Sequence, residues 1–74
     1  MDPRRYLVII EHEEGANYSA YVPDLPGCVS TGDTRQDVLR NIREAIVFHI
    51  EGLREDGLEV PEPTTQGEYV DAVA

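Results

Sequence analysis

The stretch YSAYVPDLPGCVSTGDT, residues 18–34, decides how this chain folds. In its first part apolar and polar side chains alternate, and this period of two predicts a β-strand over residues 17–22. Pro26 followed by Gly27, in the stretch Asp24-Leu25-Pro26-Gly27, then predicts the centre of a type II turn, because the third position of that turn needs a positive φ. The stretch therefore contains a strand that ends in a tight reversal of the chain.

The end of the same stretch carries the start of a helix. After a short third strand over residues 28–30, Thr34 with Asp37 three positions later resembles a capping box with a shortened acid. Gly57 suits the C′ position just past a helix that runs to about Glu55. Between them one broad arc of the helical wheel is apolar and predicts the core face: Val38, Leu39, Ile42, Ala45, Ile46, His49, Ile50 and Leu53.

Upstream of this stretch lies a first strand, and downstream lies a candidate for a last one. Residues 6–12 are rich in β-formers and lead into a hairpin turn at residues 13–15. Residues 7–10 are apolar on both faces, which predicts a central strand covered by the helix on one side and by another layer, such as a second subunit, on the other. Residues 69–74 alternate again. The prediction is a single domain over residues 1–74.

The fold class that these elements predict is α+β, with the order β-β-β-α-β. Its core is a three-stranded antiparallel sheet with one helix packed on one face, and the C-terminal residues are the candidate fourth strand. A chain of 74 residues buries only a small core, and one cysteine, Cys28, excludes an internal disulfide. We therefore expect additional burial against a partner protein or in a homo-oligomer, a dimer or tetramer.

The net charge of −9 is spread unevenly along the chain. Residues 1–43 hold seven acids and five arginines, whereas residues 44–74 hold eight acids and one arginine. Such a field repels phosphate backbones and attracts basic proteins, so direct nucleic-acid binding is not expected. The plainer interpretation, that acidic side chains only keep a small protein in solution, stays open. No apolar run is long enough for a membrane helix, and without an apolar leader a cytoplasmic location is expected.

The residues that could support catalysis or bind a metal have simpler interpretations. Cys28, His12 and His49 lack the short spacing of metal ligands, and His49 lies on the apolar arc of the helix. Asp24 and Asp33 bracket the third strand and could hold Mg²⁺, but a turn position and a helix start account for both. We therefore predict no enzyme, no metal and no cofactor. A nuclease remnant that uses these two aspartates is the weakest alternative.

Residues 18–34 resemble the signature of the HicB antitoxin family. Arg43-Glu44-Ala45-Ile46 and the following His49 are similar to the helix of that family, so the resemblance covers about residues 5–55. It implies a β-β-β-α-β unit similar to a truncated RNase H fold. It also implies an antitoxin that docks on HicA, a small basic ribonuclease, and blocks its active site. Many members continue into a helix-turn-helix or ribbon-helix-helix domain that binds DNA. No such domain is recognised in residues 1–74.

The resemblance and the charge pattern together predict which residues bind the toxin. Complementary charge speeds the association of an acidic domain with a basic partner and selects against wrong partners. Phe48 also lies away from the apolar arc, which indicates either a contact with a partner or a second subunit, or harmless partial exposure. The alternative is a non-catalytic homo-oligomer with a structural or regulatory role and no toxin. The predicted partner-binding residues are Tyr21, Asp24, Leu25, Glu44, Phe48, Glu51 and Glu55.

Overall fold

The structure, a computed structural model, describes residues 4–73. The elements follow the order β1 (Ile9–His12), β2 (Tyr18–Tyr21), β3 (Val29–Gly32) and α1 (Arg35–Glu55). The strands form one antiparallel sheet in the order β1-β2-β3, and α1 packs on one face of it. The predicted α+β class, with three antiparallel strands and one helix, is confirmed.

The two turns that join the strands lie where the sequence predicts them. In the hairpin between β1 and β2, the amide of Ala16 donates to the carbonyl of Glu13 at 3.0 Å. Between β2 and β3, the amide of Cys28 donates to the carbonyl of Leu25, also at 3.0 Å. Gly27 is the third residue of this second turn and has a φ of 88°. The hydrogen-bonded turn therefore spans residues 25–28, with Pro26 and Gly27 at its centre as predicted.

Both ends of α1 are capped by the predicted residues. Thr34 Oγ1 accepts from the amide of Asp37 at 3.0 Å and satisfies one of the first free amides of the helix. At the other end Gly57 has a φ of 70°, and the amide of Leu58 donates to the carbonyl of Leu53 at 2.8 Å. This is the Schellman arrangement, in which a left-handed residue lets the chain turn back over the last carbonyls.

The core lies between the sheet and the predicted apolar arc of α1. Val38 and Ile42 are fully buried, and the rest of that arc is half-buried, so the predicted core face is confirmed. Burial also raises the pKa of the Cys28 thiol, because the thiolate loses its hydration. The buried side chains of the core are Ala20, Val22, Leu25, Cys28, Val38 and Ile42.

The C-terminal strand expected over residues 69–74 is not formed over residues 69–73, and Ala74 lies outside the described residues. Tyr69 and Val73 are almost completely exposed, at 104% and 92%, so this part of the chain has no layer to pack against. Without a fourth strand, β1 is an edge strand, and its predicted central position is wrong. The central strand is β2.

The strands are shorter or shifted relative to their predicted ranges. β1 begins at Ile9 rather than at residue 6 because its neighbour β2 ends at Tyr21. Pro23 follows shortly after and has no amide to donate to a ladder. β3 extends to Gly32, two residues beyond the predicted end.

Candidate functional site

The outer surface of α1 carries four of the predicted partner-binding residues in one line. Glu44, Phe48, Glu51 and Glu55 are spaced by four, three and four residues, which places them on one face of a helix. All four are exposed, and Phe48 is 72% exposed despite its size. We call these residues the acidic helix row.

Negative charge is concentrated along the acidic helix row. Within residues 4–73 the ion pairs join Arg4 to Glu62 and Arg40 to Asp37, so no arginine neutralises an acid of the row. Two of the three acids, Glu51 and Glu55, lie in the last turns of α1, where the helix dipole is also negative. Acids at that end do not stabilise the helix. Their placement instead strengthens the negative potential at one surface.

A narrow apolar depression lies beside the row. Val47, 55% exposed, and Phe48 form it together with the side chains of Arg43 and Glu44. An apolar spot bordered by charges is the usual composition of a protein-binding surface, in which an apolar centre is surrounded by a polar rim. The depression is too shallow to enclose a small molecule, because it is almost flat and formed by one helix alone.

Tyr21 belongs to a different surface from the acidic helix row. It pairs with Ile9 on one side and Val29 on the other, and the three side chains lie on the sheet face that α1 does not cover. Tyr21 is 41% exposed and Val29 is 65% exposed. With Leu7 they form what we call the outer sheet face. The helix row and Tyr21 therefore point to opposite sides of the sheet.

The prediction that Leu25 binds a partner is corrected by its burial. Leu25 is 0% exposed and packs in the core, because the turn after β2 folds its side chain inward. The amide of Leu25 donates to the carbonyl of Val22 and helps to hold that geometry. Its side chain cannot reach a partner while the domain is folded.

Asp24, another predicted partner residue, binds the protein's own C-terminal segment. Its Oδ2 accepts from the amides of Thr64 at 3.0 Å and Thr65 at 2.9 Å, and its Oδ1 accepts from their hydroxyls at 3.2 and 2.7 Å. We call this arrangement the Asp24 clasp. The hydrogen bonds, that from the Thr65 hydroxyl foremost, hold the pKa of Asp24 below its usual value. The carboxylate therefore organises the fold locally, and its acceptor positions are taken.

The segment that leads into the clasp is tied to the start of the chain as well. Arg4 forms an ion pair with Glu62 at 3.1 Å, and the Tyr6 hydroxyl donates to the carbonyl of Pro61. The proline-containing segment that follows α1 is thus held against residues before β1. Its course brings the chain from the end of α1 to Asp24 and then to Leu7, against which Gly67 lies.

The residues considered for catalysis or metal binding do not converge. His12 stacks on Tyr18, its cross-strand neighbour, with ring centroids 3.9 Å apart. Cys28 is buried in the core, whereas His49 is half-buried on the inward side of α1. Residues 4–73 contain no group of three or more His, Cys, Asp or Glu side chains that could hold a metal ion. Over the same residues no helix has the length and apolar character needed to cross a membrane.

The family profile of the HicB-like antitoxins of bacterial toxin–antitoxin systems matches residues 6–73. That match covers nearly the whole chain. This chain belongs to the HicB-like antitoxin family. The resemblance seen in residues 18–34 is therefore confirmed.

Individual relatives of this HicB-like chain come from a phage, a bacterium and an archaeon. A 14.9 kDa protein of Haemophilus phage HP1 is 46% identical over 65 residues, 88% of this chain and 48% of its own. Antitoxin HicB 2 of Photorhabdus laumondii is 38% identical over 64 residues, 86% of this chain and 45% of its own. A UPF0150 protein of Thermoplasma acidophilum is 42% identical over 57 residues, 77% of this chain and 83% of its own. The HicB-like chain thus spans about half the length of the first two.

Sequence reasoning missed the partners of Asp24 in this HicB-like chain. Thr64 and Thr65 follow two prolines, in a stretch whose composition is typical of a linker. The only signal in the sequence is that two adjacent threonines offer two amides and two hydroxyls, a set of donors that suits one carboxylate. Forty residues separate Asp24 from Thr64, so the pattern alone does not pair them.

Replacing Asp24 by alanine is expected to free the C-terminal segment of this HicB-like protein. The change removes the acceptor of four hydrogen bonds, and the amides of Thr64 and Thr65 should then exchange with solvent faster. Hydrogen exchange followed by NMR measures this. Asp33→Ala removes the same charge from an exposed position and is the matched control. Equal exchange at both threonines in the two variants would contradict the role of the clasp.

The clasp should also open in acid. The folded-state pKa of Asp24 is lowered, so its contribution to stability is present above the ordinary aspartate pKa of about 3.9 and is lost as the pH falls through the lowered value. NMR shifts of the Thr64 and Thr65 amides should therefore change at a pH below about 3.9. A midpoint above that value would mean that the carboxylate is not stabilised by these bonds.

Proposed function

We propose that this HicB-like protein is an antitoxin that binds a small basic HicA-like ribonuclease and occludes its active site. The observation that carries the proposal is the exposed Phe48 between the unneutralised acids Glu44 and Glu51 on α1. Aromatic anchors surrounded by polar groups supply most of the affinity in many protein interfaces. In this proposal the chain breaks no bond itself, since its task is to cover a site on the toxin.

Charge supports a basic partner over an acidic one. Residues 44–74 contain eight acids and one arginine, and the acidic helix row lies within that part of the chain. Opposite potentials on two proteins raise the rate of encounter and orient the partners before contact. A nucleic-acid backbone would instead meet charge of its own sign on this surface. The row therefore suits a protein that itself binds RNA through positive side chains.

Burial of one aromatic side chain should supply much of the affinity. Phe48→Ala is expected to weaken binding of the cognate HicA-like toxin by about 2 kcal/mol, or roughly 30-fold in Kd. Calorimetric titration of purified toxin measures the change. Tyr69→Ala removes an aromatic side chain that is 104% exposed in the C-terminal segment, and it should leave Kd unchanged. Equal Kd values for Phe48→Ala and the unchanged protein would contradict the proposed surface.

Charge reversal tests the electrostatic part of the proposal. Glu51→Arg should slow association with the toxin, and the difference should shrink as salt is added, because screening removes the attraction. Glu14→Arg changes the net charge equally at an exposed turn away from α1 and is the control. The same loss of rate in both variants would mean that only total charge matters.

RNA cleavage provides the functional measurement. At a molar excess the unchanged protein should abolish RNA cleavage by the toxin. The double variant, Phe48→Ala combined with Glu51→Arg, should leave cleavage measurable at the same concentration. Continued cleavage in the presence of excess unchanged protein would overturn the antitoxin proposal. Full inhibition by the double variant would show that the acidic helix row is not part of the interface.

A further inference from the structure

One positive side chain, that of Arg43, borders the acidic helix row. It forms the apolar depression on α1 together with Glu44, Val47 and Phe48. Arg43 is exposed and forms no ion pair within residues 4–73. Its neighbour in sequence, Glu44, does not face it on a helix, and the positions three and four residues away hold no acid. Those positions are occupied by Leu39, Arg40, Ile46 and Val47.

The other arginines of α1 are accounted for by their surroundings. Arg40 donates to Asp37 Oδ1 at 2.8 Å. Arg54 lies in the last turn, where the helix dipole favours a cation, and it borders a cavity formed with the segment after the helix. Arg35 is the first residue of α1, about 12 Å along the axis from Arg43 and beyond the depression. Arg43 is therefore the cation of this surface whose placement no contact among the described residues explains.

The surface has a direction along the helix. Arg43, Val47 and Glu51 follow one another at intervals of four residues, so they lie on one line with the apolar residue in the middle. At about 1.5 Å per residue, roughly 12 Å separates Arg43 from Glu51 along the axis. Glu51 and Glu55 are also four residues apart, and like charges at this spacing destabilise a helix. The order of cation, apolar centre and anion is therefore explained by a contact outside the helix rather than by the stability of α1.

We infer that Arg43 binds a carboxylate of the partner and thereby determines in which direction the partner lies along α1. The inference rests on the proposed function, because the partner is the proposed toxin. It requires a basic group facing Glu51, an apolar pocket for Phe48 and, about 12 Å from the basic group, one acid. An arginine suits this role because its planar guanidinium can donate two parallel hydrogen bonds to one carboxylate. If the partner docked in the reverse direction, both charged contacts would become repulsive, which excludes that orientation.

Reversal of the charge at Arg43 gives opposite results for a directional and for a uniformly basic partner. Arg43→Glu replaces one positive charge by one negative charge, so the net charge changes from −9 to −11. A uniformly basic toxin surface would then bind more tightly. We expect Kd for the purified cognate toxin to rise by about tenfold instead, because the facing carboxylate is repelled. Calorimetric titration measures the change.

Two further variants serve as controls. Arg5→Glu makes the same change in net charge at an exposed position before β1, and it should not raise Kd. Arg43→Lys keeps the positive charge and should stay within roughly threefold of the original Kd. Urea unfolding should give the same free energy for Arg43→Glu as for the unchanged protein, because Arg43 is exposed. An equal rise in Kd for Arg5→Glu would show that only total charge matters and would overturn the inference.

A charge swap identifies the carboxylate on the toxin. Each exposed acid of the toxin is changed to arginine in turn, and each variant is titrated with the unchanged protein and with Arg43→Glu. One of these toxin variants should bind the unchanged protein more weakly, yet bind Arg43→Glu within roughly threefold of the original Kd. Failure of every such variant to recover binding overturns the inference.

The same titrations separate this inference from the proposed function. A toxin that is bound and inhibited by the unchanged protein, and whose Kd is the same or lower with Arg43→Glu, would overturn the role of Arg43 and leave the antitoxin proposal in place. A toxin that does not bind the unchanged protein at all would overturn both.

Discussion

Gly32→Ala should lower the free energy of unfolding by about 3 kcal/mol, although it adds only one methyl group. A Cβ atom at this position would lie 2.5 Å from the backbone nitrogen of Val38 and 2.9 Å from the carbonyl carbon of Asp37. Both atoms belong to the first turns of α1, and backbone atoms cannot rotate away as a side chain can. The end of β3 and the start of α1 would have to separate, and the core lies between these elements.

Urea unfolding at one protein concentration measures this loss. For a domain of this size, about 3 kcal/mol corresponds to a fall of roughly 15 °C in the melting temperature. Gly52→Ala is the matched control, because Gly52 lies within α1 and an added methyl there meets nothing within 4 Å. That variant should be stabilised by about 0.5–1 kcal/mol. Destabilisation of both variants by similar amounts would show that the close approach at Gly32 is not the cause.

Leu25→Ala should cost about 3 kcal/mol of stability, because it leaves a cavity in a core that has few side chains. Leu25 is 0% exposed and contributes one of the largest fully buried side chains. A domain with roughly 5 kcal/mol of total stability would retain less than half of it. Thermal unfolding followed by circular dichroism measures the difference.

Leu58→Ala is the matched control for Leu25→Ala, because it removes the same atoms from a side chain that is 57% exposed. Its cost should stay below about 1 kcal/mol. The comparison also separates the two roles considered for Leu25. If Leu25 only contacted a partner, Leu25→Ala would weaken toxin binding with little change in the free energy of unfolding. The opposite result, a large loss of stability, is expected here.

The candidate surface was predictable only where its residues share one helix. Glu44, Phe48, Glu51 and Glu55 repeat at helical spacing, so their common face follows from the sequence once the helix is recognised. No such regularity connects Tyr21, Asp24 and Leu25. Tyr21 lies on the outer sheet face, Asp24 forms the clasp with Thr64 and Thr65, and Leu25 is buried in the core.

By itself the sequence determined the elements whose geometry is local. The alternation before Val22, the turn at Pro26 and Gly27, and the caps at Thr34 and Gly57 depend on contacts within a few residues. Steric limits on φ and hydrogen bonds to nearby amides decide such features, and both can be recognised from residue type and spacing.

Only the tertiary structure decided the features that join distant parts of the chain. The burial of Leu25, the close approach of Gly32 to α1, the clasp between Asp24 and Thr64, and the open edge of β1 all depend on which elements meet. Apolar alternation shows that a face will be covered, but it does not show what covers it. The same two-sided strand can be central or lie at an edge, and only the absence of a neighbouring strand among residues 4–73 placed β1 at the edge.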